Sequence, residues 1–139
     1  MSRKSFLIIV FIAVAALAVY LLVKLTFRES EKSVASEPAV ATLNAPQLLQ
    51  LFEENEDSAN RLYLGKVIQV QGVIDSFIED SVSVSVYLKD AEAFTGIMCV
   101  FDKTVLDATS LQQGAEISIK GMCSGYLFDV ILNKCALVE

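Results

Sequence analysis

Histidine and tryptophan are both absent from the 139 residues, and with histidine goes the commonest general base and the usual activator of a nucleophile. What remains for acid–base chemistry is carboxylate: Asp75, Glu79, Asp80, Asp90, Asp102 and Asp129. Two of them could in principle share the roles of acid and base, but most fall in expected turns or on outward strand positions, where a carboxylate serves solubility. Asp129 stands apart because it interrupts an otherwise apolar strand, Leu127-Phe-Asp-Val-Ile-Leu132. Its structural role would be to satisfy backbone donors at the mouth of a barrel. Glu53, Glu54, Glu56 and Asp57 cluster in sequence, yet carboxylates close together on a helix point in different directions and read as a solvated face. No catalytic, metal or cofactor site is expected, and the chain is not expected to be an enzyme.

Three cysteines, Cys99, Cys123 and Cys135, make an odd number and fit no zinc spacing. With a hairpin turning at Ser124-Gly125, Cys135 would lie about 30 Å along the strand from Cys123. A disulfide needs Cα atoms within about 7 Å, so that pair is disfavoured. Cys99 with Cys135 is the other candidate pair, and buried free thiols are the default.

The elements that must hold these residues begin with an uncharged run, Phe6 to Val23. As a helix it extends about 27 Å, close to the hydrocarbon thickness of a bilayer. A cleavable signal would have a shorter apolar core and small residues after it, whereas Tyr20-Leu-Leu-Val-Lys-Leu-Thr-Phe27 follows here. The reading is an uncleaved signal-anchor, residues 1–29, and a single-pass membrane protein. Arg3 and Lys4 nearly match Lys24, Arg28 and Lys32 in number. The short basic leader nevertheless favours a cytoplasmic N-terminus and a C-terminal domain outside the cytoplasm, on the periplasmic side. From Ser30 to Leu43 no period is sustained and Pro38 interrupts, so residues 30–43 read as a flexible linker spanning about 20 Å.

Residues 44–139 form the body. Asn44, Pro46 and Gln47 make a helix start, and Leu48, Leu49, Leu51, Phe52, Ala59 and Leu62 follow as the expected apolar stripe. After Gly65 the period becomes two: Ile68, Val70, Gly72 and Ile74 share one strand face. Glu79-Asp80 turns the chain into Ser81-Val-Ser-Val-Ser-Val-Tyr-Leu88, with Val82, Val84, Val86 and Leu88 inward and the serines and Tyr87 outward. Gly96 to Phe101 is a third strand, Lys103 to Leu111 a short helix or ordered loop, and Ala115–Gly121 and Leu127–Leu132 the last two strands around Ser124-Gly125. Five strands in this order, behind a helix, predict a mainly β fold with α+β character at its N-terminal side: an OB-fold barrel. Closure removes the edges that such apolar strands would otherwise expose, and Gly72 and Gly121 are placed where a small barrel bends. In that barrel the third and fifth strands adjoin, which makes Cys99 and Cys135 the likelier neighbours of the three cysteines.

Three stretches carry a resemblance: Asn55-Glu-x-x-Ala59-x-x-x-Tyr63-x-Gly65-Lys66, Val70-x-Gly72-x-Ile74, and Lys120-Gly-x-Cys-x-Gly-Tyr-x-x-Asp129-Val-x-Leu132-x-x-Cys135. Together, from about Gln47 to the C-terminus, they resemble the tRNA-anticodon-binding-like family of small bacterial OB-fold proteins. The resemblance implies an OB-fold with an N-terminal helix, often behind a secretion or anchoring signal, and brings no catalytic residues. It makes Tyr63, Lys66, Tyr126 and Asp129 the candidate ligand-face or motif residues.

OB-folds often bind nucleic acid, but from Val40 onward six Lys and Arg stand against fourteen Asp and Glu, a net charge of −8. Polyanion binding draws on clustered Lys and Arg, and no such cluster is present. Tyr63, Phe77, Tyr87, Phe94, Phe101, Tyr126 and Phe128 could include a stacking platform, although barrel core and turn packing account for most of them. Two readings remain: a membrane-tethered binding or interaction module for an unidentified protein, peptide or small molecule, and a single-stranded nucleic-acid-binding domain facing the cytoplasm.

Overall fold

The computed structural model describes residues 2–28 and 34–139, which divide into two compact units, one within 1–32 and the other within 33–139. The first is a single helix, α1 (Arg3–Arg28), long and apolar enough to cross a membrane by length and composition. Its exposed Phe, Leu, Ile and Val side chains cover its whole circumference from Phe6 to Val23. A helix apolar all round has no polar face to turn to water.

The second unit is built on six strands: β1 (Thr42–Asn44), β2 (Val67–Glu79), β3 (Ser83–Leu88), β4 (Ile97–Asp102), β5 (Glu116–Tyr126) and β6 (Val130–Leu137). They run in the order β1-β2-β3-β4-β6-β5, and β5 pairs back onto β2 to close a five-stranded barrel, with β1 as a short side strand parallel to β2. All barrel pairs are antiparallel except β4 with β6. The 13-residue β2 serves both sides of the barrel: Val67 to Val73 pair with β5, and Ile74 to Glu79 pair with β3. A register shift between Ile74 and Ser76 marks the changeover, as expected of a bulge that lets a strand bend. Gly72 sits just before it, where a Cβ would come within 3.0 Å of Ala45 Cβ and 3.2 Å of Leu88 Cβ.

Inward positions alternate as the period of two requires: Val84, Val86 and Leu88 on β3 and Ile97, Cys99 and Phe101 on β4 are fully buried. Phe52 from α2 (Ala45–Glu54), Leu132 and Ile119 join them in one core. Leu106, Ala108 and Leu111, around a 3-10 turn at Ala108–Ser110, add the insert's contribution to the same core.

Helix α2 starts as the sequence predicts. Asn44 Oδ1 accepts from Gln47 N–H at 2.9 Å and Gln47 Oε1 accepts from Asn44 N–H at 3.2 Å, a reciprocal capping box. The helix then breaks at Asn55 (φ −159°, ψ 90°), whose side chain caps α3 (Glu56–Tyr63) by accepting from Ser58 N–H. That break resets the helical phase, which is why Leu62 faces outward at 54% exposure while Tyr63 packs on the core.

Several sequence expectations change. Of the linker read over 30–43, residues 30–33 lie outside the described residues, and 34–43 belong to the barrel unit. Val34 is buried in a 3-10 turn (Val34–Ser36) beside β5 and β6. Ala35 O lies 3.4 Å from Lys120 Nζ, and Val40 N–H donates to Val67 O. Val82 is not inward but 69% exposed, because Asp80 Oδ1 accepts from both Val82 and Ser83 N–H at 2.7 Å and holds Val82 in the turn. The last hairpin turns at Leu127–Asp129, not at Ser124-Gly125. Ser124 is the extra residue of a β5 bulge, with Gly125 at φ +118° supplying the backbone freedom that an L residue lacks. Cys123 is therefore opposite Leu132 within the ladder, and the separation from Cys135 inferred from a turn at Ser124-Gly125 does not apply.

Candidate functional site

The outward face of the barrel's middle is uncharged. Ser76 on β2 stands opposite Tyr87 on β3, Tyr87 opposite Met98 on β4, and Met98 opposite Ile131 on β6, a row crossing four strands. Ser85 pairs with Ile78 and with Val100 in the next row, and Ile78 is 61% exposed. A solvated strand face would carry Lys, Glu or Thr in such rows; here it carries Ser, Tyr, Met and branched aliphatics.

One end of this face is framed by the 89–96 loop and the Leu127–Asp129 turn. Asp129 Oδ1 accepts from Gly96 N–H at 2.8 Å, and Val130 N–H donates to Gly96 O at 3.1 Å, fastening loop to turn. Gly96 cannot be larger without movement, since a Cβ there would lie 2.8 Å from Leu88 O. The fastened pair lifts Phe94 (91% exposed) and Phe128 (67%) above the sheet. Ile78, Tyr87, Phe94 and Phe128, with Asp75 and Lys89, line a cleft of about 270 Å³. Across Phe94 a second cleft of about 350 Å³ runs between the loop and α2, lined there by Pro46, Leu49 and Glu53. Glu53 Oε1 accepts from the Thr95 hydroxyl at 2.9 Å, joining α2 to the loop. Lys89 is the one basic residue lining either cleft, against Glu53, Asp75, Asp90, Glu92 and Asp129.

Of the candidate ligand-face residues Tyr63, Lys66, Tyr126 and Asp129, Asp129 alone lines either of these clefts. The Tyr126 ring packs 5.8 Å from Phe52 at 32°, closing the core. Tyr63 is half-buried against that core, and Lys66 is an exposed side chain whose backbone exchanges its structural bonds with Cys123 and Tyr63. These three stand along the seam between α3, β2 and β5. Phe94 and Phe128 are two of the seven aromatics that could include a stacking platform, and the signal that separates them from the rest is position, one in the polar stretch Asp90-Ala-Glu-Ala-Phe-Thr-Gly96 and the other inside a turn.

Three carboxylates outside the clefts are engaged structurally. Asp80 is held below its ordinary value by the N–H groups of Val82 and Ser83 and the Ser83 hydroxyl, Asp102 by the hydroxyl and N–H of Thr104, and Asp107 by the N–H and hydroxyl of Thr109. A hydrogen bond with Cys135, then burial, pushes the Cys99 thiol well up, and burial pushes Cys123 up. The three cysteines are free, with Cys99 and Cys135 in contact. Among the described residues no group of three His, Cys, Asp or Glu could hold a metal ion.

A closed five-stranded barrel with this strand order, a helix packed at one end and an outward face framed by loops defines an OB-fold domain. The fold matches a crystal structure of a "putative nucleic acid-binding lipoprotein" from Klebsiella pneumoniae subsp. pneumoniae MGH 78578, with a TM-score of 0.60 and 23% identity over 78% of this chain and 98% of that one. Asparaginyl-tRNA synthetase from Pyrococcus horikoshii also aligns, at a TM-score of 0.40 and 15% identity, over 55% of this chain and 20% of that one. A chain of a replication protein A heterotrimer bound to ssDNA aligns at 0.38 and 12%, over 52% of this chain and 57% of that one. No curated protein matches the sequence. The chain belongs to the tRNA_anti-like family, whose sequence profile matches residues 1–137 and so takes in α1 as well as the barrel.

Proposed function

We propose that this chain is a membrane-tethered binding module with no catalysis of its own, held outside the cytoplasm by α1, whose cleft between Tyr87, Phe94 and Phe128 receives a protein, peptide or small-molecule ligand. The observation that carries this reading is the cleft itself: four large apolar side chains converge on it and a single lysine lines it. Exposed aromatics gathered in one concave place are what binding sites have and plain surfaces lack. The uncharged run Phe6 to Val23 within α1 and the short basic leader before that run support the tether. A body charge of −8 repels a polyanion.

A second reading, a single-stranded nucleic-acid-binding domain facing the cytoplasm, is favoured by one feature. Tyr87, Phe94 and Phe128 beside Lys89 could stack bases while the lysine meets a phosphate.

Topology separates the two. Reporter fusions after Val23 and at the C-terminus in intact cells are expected to place the C-terminus outside the cytoplasm, and labelled oligothymidylate is expected not to bind the purified chain at 0.15 M salt. A cytoplasmic C-terminus, together with salt-dependent binding that Lys89→Ala weakens, would overturn the tethered-module reading in favour of the second.

A further inference from the structure

In a regular strand, Cys135 could not reach Cys99. Strand β4 pairs with β6 through Cys99 opposite Leu132, and three residues of further strand would carry Cys135 about 10 Å along the ladder. Yet Cys135 Sγ reaches back to Leu132, the residue opposite Cys99, and both cysteines are buried in one core, at 0% and 2% exposure, where the Cys135 side chain helps push the Cys99 thiol up. The device that brings them together is a bulge. Lys120 pairs with Ala136 and Met122 with Asn133, so Lys134 and Cys135 together oppose Gly121 alone. Lys134 adopts φ +53°, a left-handed conformation that costs a non-glycine residue energy. The turn folds Cys135 back until its Sγ lies 3.4 Å from Leu132 O. Gly121 supplies the space: a Cβ there would stand 2.7 Å from Cys135 Sγ and 2.9 Å from Leu132 Cβ. A strained backbone, a doubled position and a missing side chain all serve to seat one sulfur beside another.

Cys123 is out of reach of Cys99. It lies opposite Leu132, which lies opposite Cys99, so two strand spacings, about 9.6 Å, separate the Cα atoms of Cys123 and Cys99. That is beyond the span a disulfide bridges.

We propose that Cys99 and Cys135 are the site of a disulfide that closes the barrel covalently where the β4–β6 ladder ends, and that Cys123 remains a free thiol; the proposal rests on the extracytoplasmic placement argued above. The co-reactant is an oxidised dithiol of an oxidising compartment. The Cys135 thiolate attacks one sulfur of that disulfide, expelling the other as a thiolate. The Cys99 thiolate then displaces the first from the mixed disulfide. One S–S bond forms and one breaks, and two electrons and two protons pass to the oxidant, which leaves as a dithiol. Exchange requires thiolates in reach of the oxidant, so it takes place before the core closes over both residues.

The test uses the whole chain in its membrane. Cells are quenched in acid, denatured with a maleimide to block every free thiol, and the unreduced digest is mapped by mass spectrometry; in parallel, a Gln112→Cys variant is exposed to a membrane-impermeant maleimide in intact cells. The expected result is the Cys99 peptide joined to the Cys135 peptide, lighter than the reduced pair by two hydrogens, with Cys123 alkylated and Gln112→Cys labelled from outside. Free Cys99 and Cys135 with Gln112→Cys labelled would overturn the disulfide and leave the tethered placement standing. Free thiols with Gln112→Cys unlabelled would overturn both. A cross-link with Gln112→Cys unlabelled would uphold the disulfide and overturn the placement. As a second readout, reductant should lower the melting temperature of the purified chain by about 10 °C and leave the Cys99→Ala/Cys135→Ala double variant unmoved. Equal shifts in the two would also overturn the disulfide.

Discussion

At the end of the β3–β4 ribbon where Asp80, Asp102 and Asp107 stand, each carboxylate accepts hydrogen bonds from N–H and hydroxyl groups two or three residues along the chain, and Lys103 pairs with Glu79 across the turn. At the other end, loop and turn are joined through Asp129 and Gly96, and the surface they present is Phe94, Leu127 and Phe128. The first end meets the needs of these carboxylates within itself, and its exposed apolar side chains are the single aliphatics Val82 and Val105. The second leaves large apolar area in water, a cost no fold needs for its own stability. The contrast teaches where selection for folding stops and room for binding begins: a single barrel carries a closed end and an open one.

The comparison presumes that both ends hang on one core, and the largest expected effect tests that. Phe52, 1% exposed and packed on Tyr126, should cost about 3–5 kcal/mol as Phe52→Ala in denaturant unfolding, with amide exchange rising at both ends together. Exchange rising at one end alone would break the presumption. Next, Asp129→Ala strips the acceptor from Gly96 N–H and should cost about 1–3 kcal/mol, loosening the aromatic end only. Asp129→Asn, which keeps an acceptor, should cost less.

A smaller effect should appear with pH at the closed end. Asp80, Asp102 and Asp107 titrate lower in the fold than in the unfolded chain because donors favour their charged forms. Their contribution is therefore present above the ordinary carboxylate value of 3.8 and is lost as pH falls through the lowered values. Amide exchange at Val82, Ser83, Thr104 and Thr109 should rise in that acid window, and Asp80→Asn should flatten the rise at Val82. The smallest effect is expected from Phe94→Ser with Phe128→Ser, within about 0.5 kcal/mol of wild-type stability. A larger loss would mean that the aromatics are structural, and the open end would no longer differ from the closed one.

Much of this barrel is legible along the chain, as single stretches show. Ser83 to Leu88 alternates in sequence and in burial because strand geometry sends successive side chains to opposite faces. Asn44 and Gln47 cap a helix because three residues return a side chain to its own backbone. Where local signals competed, reading failed. The helical stripe through Leu62 was cut by Asn55, whose cap restarted the helix in another phase. Ser124-Gly125 has the composition of a turn, but β5 runs through it as a bulge and turns later, because pairing of Tyr126 with Val130 continues the ladder. The candidate site was the least legible part: Asp129 was visible as a polar residue in an apolar strand, while Phe94 and Phe128 looked like any other aromatics.

By itself the sequence determined the uncharged run Phe6 to Val23, the capped α2, the alternating strands and the acidic charge, all set by contacts within a few residues or by composition. Only the tertiary structure decided that Asp129 meets Gly96 across 33 residues, that Phe94 and Phe128 flank one cleft, and that Cys135 folds back onto Cys99. Those outcomes depend on how β2 bends and closes upon β5, and on bulges whose positions are fixed by packing between strands. Closure of a barrel is a long-range condition, satisfied by all five strands at once, and no window of sequence contains it.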